Sequence, residues 1–280
     1  MAKKIVTMTA IPGVVRRGLQ VRSDLSYAKY GEATWRWWCW RHGIEFVLFN
    51  VPLAGDGYAM LPPTIQRWVM LNRLMREVGE DVQVAAIDAD TMIRWDAPDF
   101  FEIARGFSAV IGGDPFWIAQ SIRAFQPVFP GISLPWWEYF NSGLVVLGPS
   151  QRRFIHAFTE FTARQWPTLE PVIRSSNVGT DQTPMNFAVR LANEPVFGLP
   201  RPFNYLNCIP MDDELLRMEG SAEPDPGKLA AKLEARPRTL NFIDLGYVWH
   251  FTNVLRLRPL IMRETWRRVR HNYPGIEIAE

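Results

Sequence analysis

Cysteine is scarce in this sequence. The 280 residues contain two, Cys39 and Cys208, at no framework spacing. A disulfide scaffold is excluded, and free thiols in a reducing compartment are the simplest reading. Charge of one sign is also missing. The net charge is +2, from 31 basic and 29 acidic residues, so no polyanion groove is written into the composition and no nucleic-acid partner is expected. The nearest basic run, RRVRH (Arg267 to His271), reads as a solvated helix face. Long apolar runs are absent. None reaches the roughly 18 residues of a membrane span, and MAKKIVTMTAIPG at the start lacks the longer apolar core of a signal peptide. A cytoplasmic protein without a transmembrane segment is expected. With no repeat and no strong linker, a single domain over 1–280 is expected.

What is present is apolar and aromatic. Hydrophobic residues make up 48%, enough for a sizeable core, and there are 12 tryptophans. They serve either as core or as platforms for a flat or sugar-like ligand. KKIVTMT (Lys3 to Thr9), IEFVLFN (Ile44 to Asn50) and VQVAAI ending at Ile87 read as buried strands. Between them, Trp35, Trp38, Cys39 and His42 share one helical face that Gly43 closes. TIQRWVMLNRLMREVG predicts a second helix, capped by Thr64, with Ile65, Trp68, Leu71 or Asn72, Met75 and Val78 on its inner side. Strand, helix, strand, helix, strand predicts an α/β fold, a mostly parallel sheet with helices on both faces. FSAVIGGD and SGLVVLG read as further strands. SQRRFIHAFTEFTARQW, capped by Ser150, and TDQTPMNFAVRLA read as further helices, Pro184 being tolerated in the first turn of the latter. A polar, proline-flanked excursion near 219–238 reads as mobile, and a C-terminal helix is expected near 259–272.

The third strand runs straight into Asp88, with Asp90 two places on. Ligands of parallel sheets sit beyond the carboxyl ends of the strands, so this pair faces a crevice. Three readings fit the spacing. Two hard oxygen ligands suit a divalent cation with a phosphate-bearing ligand. An aspartyl nucleophile with a neighbouring acid suits a haloacid-dehalogenase-like phosphohydrolase, for which Asp212 and Asp213 are the candidate further pair. A capped turn needs no chemistry. His250, in YVWHF, is either a satisfied core residue or a ligand.

Four stretches in order, DAD (Asp88 to Asp90), FNSGLVVL (Phe140 to Leu147), TDQTPMN (Thr180 to Asn186) and WHF (Trp249 to Phe251), resemble the GT-A nucleotide-sugar glycosyltransferases, above all retaining families 8 and 34. The resemblance spans roughly Ile5 to Phe251. Where that pattern often has a lysine before the DxD strand, this chain offers Arg67 and Arg73, and the family 8 tail after the histidine is absent.

The resemblance implies a Rossmann-like GT-A fold and a metal-dependent hexosyl- or pentosyltransferase. It would move a sugar from a nucleotide-diphosphate sugar donor to a saccharide or other hydroxyl acceptor, with retention. Asp88, Asp90 and His250 would ligate Mn²⁺ or Mg²⁺. Thr9 and Ala10 would lie at the nucleotide base; Asp88 would also hold the ribose, and Asn141, Ser142 and Gly143 would line the donor sugar or acceptor. Asp181 would bind sugar hydroxyls and Gln182 would lie near the anomeric carbon, the two forming the catalytic pair. An inverting enzyme would instead need a carboxylate base, with Asp114, a substrate-side candidate, and Glu138 available. A non-catalytic nucleotide- or glycan-binding relative is the further alternative.

Overall fold

The computed structural model describes residues 2–12, 25–53, 58–176, 180–206, 208–221, 223–235, 241–252 and 254–279. The strands are β1 (Lys3–Thr9), β2 (Glu45–Phe49), β3 (Val82–Asp88), β4 (Thr91–Ile93), β5 (Phe107–Ile111), β6 (Phe140–Leu147), β7 (Val196–Gly198), β8 (Tyr205–Leu206) and β9 (Val248–His250). The helices are α1 (Ala28–His42), α2 (Pro63–Glu77), α3 (Pro115–Phe125), α4 (Arg152–Ser176), α5 (Gln182–Leu191), α6 (Asp213–Gly220), α7 (Pro226–Ala235), α8 (Phe242–Leu245) and α9 (Arg258–Val269). The chain divides into two compact units. The first is Met1–Ser23, Val47–Asp88 and Phe100–Leu199, and the second is Asp24–Phe46, Ala89–Asp99 and Pro200–Glu280.

The first unit is built on the six-stranded sheet, in the order β2-β1-β3-β6-β5-β7. Strands β1, β3, β5 and β7 share one direction, and β6 runs against both its neighbours. All eight residues of β6 are buried, as a strand covered on both faces requires. One face of the sheet, carrying Ile5, Val84, Ala86 and Val145, is covered by Trp68 and Leu71 of α2, Phe154 and Phe158 of α4, and Met185 of α5. Side chains alternate along a strand, so Asp88 projects to the same face as Val84 and Ala86. A second cluster buries the other side of α2, through Ile65 and Val69, against Phe129, Trp166 and Phe187.

Helix starts differ from expectation in two places. Helix α2 begins at Pro63 behind Pro62, and Thr64 lies inside it with no capping bond. Proline at the first helical position loses only an N–H that had no helical partner. Ser150 lies in a 3-10 turn, Pro149–Gln151, ahead of α4, where the Gln151 carboxamide accepts from the Gly148 N–H at 3.1 Å. Helix α4 also runs on through Pro167 and Pro171 to Ser176, its last turns held by buried Leu169 and Ile173.

The second unit has a three-stranded sheet, β4-β9-β8, with β9 antiparallel to β4 and parallel to β8. Helix α1 lays Trp35 and Trp38 against it. Their indole N–H groups donate to Thr91 Oγ1 at 3.0 Å and to Ala97 O at 2.8 Å, so the rings are buried without an unmet donor. Gly43, at φ 65°, closes α1 in the left-handed conformation that its sequence position foretells. The 219–238 stretch carries α7, whose Leu229 and Leu233 are buried and whose Lys232 pairs with Asp212 at 2.9 Å and Glu214 at 2.6 Å. Residues 236–238 lie outside the described residues.

Cys39 and Cys208 are both buried free thiols. Burial pushes each well above the ordinary thiol range, and only a thiolate reacts readily. A thiol-specific reagent at pH 8 is therefore expected to leave the native chain unmodified and to titrate both cysteines after denaturation. Rapid modification of one thiol in the native protein would contradict this packing.

Candidate active site

In the first unit the centre of the site is Arg67, which is 5% exposed. It sits on α2, whose buried flank carries it beneath the end of β3. Its guanidinium pairs with Asp88 and with Asp181 Oδ2 at 2.7 Å, and donates to Ser142 O at 2.9 Å. It also lies over the Trp68 ring, 4.3 Å from the centroid. A planar guanidinium presents five donors in a rigid fork and so spans separated acceptors that a compact ammonium cannot reach together. One residue thus ties together three elements that the sequence marked separately: the end of β3, β6, and the entry to α5.

Asp181 precedes α5 but makes no capping bond there. Its carboxylate is turned inward, taking Arg67 and the Trp68 indole N–H at 2.9 Å, and the residue is 6% exposed. Gln182 is tied to β6, its side-chain oxygen accepting from the Ser142 N–H at 3.0 Å. Asn141 Oδ1 accepts from the Gly143 N–H at 2.8 Å. The pairing of β5 with β6 shifts register between Ala109 and Val110, close to Asn141. Asn186 fastens α5 to β6 by accepting from Phe140 N at 2.9 Å and donating to Phe140 O at 3.0 Å. Tyr139 OH meets Thr183 Oγ1 at 2.6 Å, and burial holds this phenol above its usual range, hence neutral. Thr9 is paired with Asp88 across β1 and β3, and Ala10 N donates to Phe49 O at 2.8 Å.

Two candidate bases have other work. Asp114 caps α3, its carboxylate accepting from the Phe116 and Trp117 N–H groups at 2.9 and 3.4 Å. Glu138 pairs with Arg190 at 3.2 Å on an exposed surface. Asp212, offered by the phosphohydrolase reading, caps α6 through the Glu214 and Leu215 N–H groups.

In the second unit, Asp90 Oδ1 lies 3.3 Å from His250 Nε2, and Asp90 Oδ2 pairs with Arg258 at 3.0 Å. His250 is 2% exposed. Its Nδ1 is 2.9 Å from Asn204 Oδ1, an acceptor, so Nδ1 is the protonated nitrogen. Nε2 then faces a carboxylate oxygen. Two such atoms repel unless a proton or a metal ion lies between them, and a carbonyl holding the far ring nitrogen is the usual support of a metal-bound histidine. Burial raises the Asp90 carboxyl, but Arg258 and His250 outweigh it and hold it well below the usual carboxylate range. Carboxylate oxygens suit Mn²⁺ or Mg²⁺, and an imidazole nitrogen beside them tilts the choice toward Mn²⁺.

No protein-family model and no curated protein sequence matches the chain. Solved structures do. A glycosyltransferase involved in glycosylation of the major capsid of PBCV-1 aligns at 11% identity over 93% of this chain and 98% of its own, with a TM-score of 0.53. The chain has a GT-A glycosyltransferase fold. The WbbM bifunctional glycosyltransferase aligns at 14% identity over 97% of this chain and 52% of its own, with a TM-score of 0.49. The galactosyltransferase LgtC, in complex with donor and acceptor sugar analogues, aligns at 15% identity over 98% and 97%, with a TM-score of 0.47.

Arg67 brings Asp88, Ser142 and Asp181 together, Gln182 joins them through Ser142, and Asp90 meets His250. Arg258 and Asn204, which complete the second group, carried no signal in RLRPL or RPFNYLN. Arg67 stood off the predicted inward stripe of its helix. Its signal was a cation in the helix preceding the DxD strand.

Proposed function

We propose that this chain is a metal-dependent glycosyltransferase that transfers a hexosyl or pentosyl group from a nucleotide-diphosphate sugar to an acceptor hydroxyl, with retention. The observation that carries the reading is His250 Nε2 facing Asp90 Oδ1 at 3.3 Å, with the Nδ1 proton fixed on Asn204, in a chain of this fold. Asp90 and His250 would hold Mn²⁺ or Mg²⁺, with Asp88, two residues before Asp90 in the sequence, as the further ligand that the resemblance implies. When bound, that ion supplies Lewis-acid stabilisation of the charge gathering on the leaving pyrophosphate.

The rest falls to the chain's own groups. Arg67 is a fixed cation at the end of β3, and Asp181 holds it there. The bond from Ser142 N to the Gln182 oxygen orients the carboxamide, so its NH₂ is what it offers a sugar. A carboxamide is a poor nucleophile and a poor base. Asp181 is committed to Arg67, Asp114 to a helix cap and Glu138 to Arg190, so each of these three carboxylates already has other work. Retention by front-face attack, with the leaving phosphate taking the acceptor proton, suits that inventory.

The test is incubation with a panel of nucleotide-diphosphate sugars and Mn²⁺, reading nucleoside diphosphate release. Turnover that chelation abolishes and Mn²⁺ or Mg²⁺ restores supports the reading; donor binding without turnover would leave a binding protein. Gln182→Ala is expected to lower kcat about tenfold with donor KM changed by less than about twofold. NMR of the first-formed product reads the anomer, and an inverted one moves the chemistry to Asp114 or Glu138.

A further inference from the structure

The first unit has a cavity of about 560 Å³ that the reaction above does not use. Buried Phe140 and Val189 line its deep side, and Trp137, Glu138, Arg190 and Asn193 line its exposed side. Its volume suits a small organic ligand. Trp137 is 62% exposed and Trp136 51%, and the turn that carries them packs against α3, where Phe116 and Trp117 are 62% and 55% exposed. Of these four exposed rings Trp137 lines the cavity, and a large ring left in water in a unit that buries Trp68 and Trp166 points to a ligand rather than to spare core. Asn193, at φ 50°, ends α5 in the left-handed conformation, so this rim is fixed by the helix end.

We infer that this cavity is a saccharide subsite, holding a pyranose ring of the acceptor away from the reacting hydroxyl. The inference rests on the glycosyltransferase reading for the word acceptor, but the binding chemistry stands by itself. A pyranose has an apolar C–H face that stacks on an indole and a rim of hydroxyls that both donate and accept. Here one indole stands beside two carboxylates, Glu138 and Glu194, one guanidinium, Arg190, and two carboxamides, Asn186 and Asn193. Two carboxylates to one guanidinium disfavour a phosphate or a nucleotide and suit a neutral sugar. The cavity also adjoins the catalytic helix. Asn186 lines it and donates to Gln182 O at 2.9 Å, one helical turn along α5.

The experiment is saturation-transfer NMR on the full chain without donor or metal, using lactose, maltose, cellobiose and mannobiose as probes. At least one is expected to bind, with affinity falling about tenfold in Trp137→Ala. Arg190→Ala should weaken binding of the same sugar, and Asp90→Asn should leave it unchanged. Trp137 is exposed, so its variant should melt with the wild type. No binding by any probe, or equal binding by Trp137→Ala, overturns the inference. Donor turnover without saccharide binding sinks the subsite alone. Saccharide binding without donor turnover sinks the proposed reaction and keeps the subsite.

Discussion

Asp90→Asn is expected to lower turnover of a nucleotide-diphosphate sugar by at least about a thousandfold while the chain stays folded. Asp90 brings a carboxylate to His250 on one oxygen and to Arg258 on the other. The asparagine keeps the volume and one acceptor but removes the charge that would bind a divalent ion. Alanine is the worse probe, because it would strand Arg258, whose side chain is 11% exposed, and would confuse lost chemistry with lost stability. If the carboxylate acts through a metal, millimolar Mn²⁺ should recover part of the Asp90→Asn activity, since an amide oxygen is a weaker ligand of the same hard type. Nucleoside diphosphate release with circular dichroism as the folding control measures both. Activity within about tenfold of wild type, or full wild-type turnover in excess chelator, would remove Asp90 and its metal from the reaction.

The periodic parts of the fold were legible in the sequence. The runs VQVAAI and SGLVVLG became β3 and β6, and Gly43 closed α1, because burial on both faces and a left-handed cap each leave a local signature. The reversal of β6 was not legible. An apolar run buried on both faces reads the same whichever way it points, and direction is set by the connection through α3 and the turns after it. Cap positions failed where another local device was available: Pro62 and Pro63 displaced Thr64, and the Gln151 side chain displaced Ser150. Of the candidate site, Asp88 and Asp90 stood out because carboxylates at a strand end need a partner, and His250 through the family resemblance. Of their partners, Arg67 was offered only together with Arg73. Arg258 and Asn204 come from a helix start and irregular chain, where neither period nor spacing distinguishes a site residue from a surface one. Asp181 shows the same limit. Its place before α5 suggested a side chain turned to ligand, and it is instead turned to Arg67 and Trp68.

That inward turn makes Arg67 the residue whose loss should cost most stability. Asp181 has a side chain 8% exposed, and its carboxylate is tolerable there because Arg67 neutralises it and the Trp68 indole donates to it. Arg67→Ala leaves that charge with two neutral donors, the Trp68 indole and the Thr180 hydroxyl at 3.3 Å, removes a partner of Asp88, and opens the space over the Trp68 ring. Breaking a buried pair from one side costs about 3–5 kcal/mol, so the midpoint of thermal unfolding is expected to fall by roughly 10 °C. Arg67→Lys should fall between, because an ammonium keeps the charge but cannot reach Asp88, Asp181 and Ser142 together. The decisive comparison is a double-mutant cycle. If the cost is a stranded carboxylate, Asp181→Asn should be less harmful on the Arg67→Ala background than alone, and the two changes should fall short of adding by about 1 kcal/mol or more. Additive losses, or an Arg67→Ala protein that melts within about 1 °C of wild type, would mean that the guanidinium serves only substrate and that the fold holds Asp181 without it.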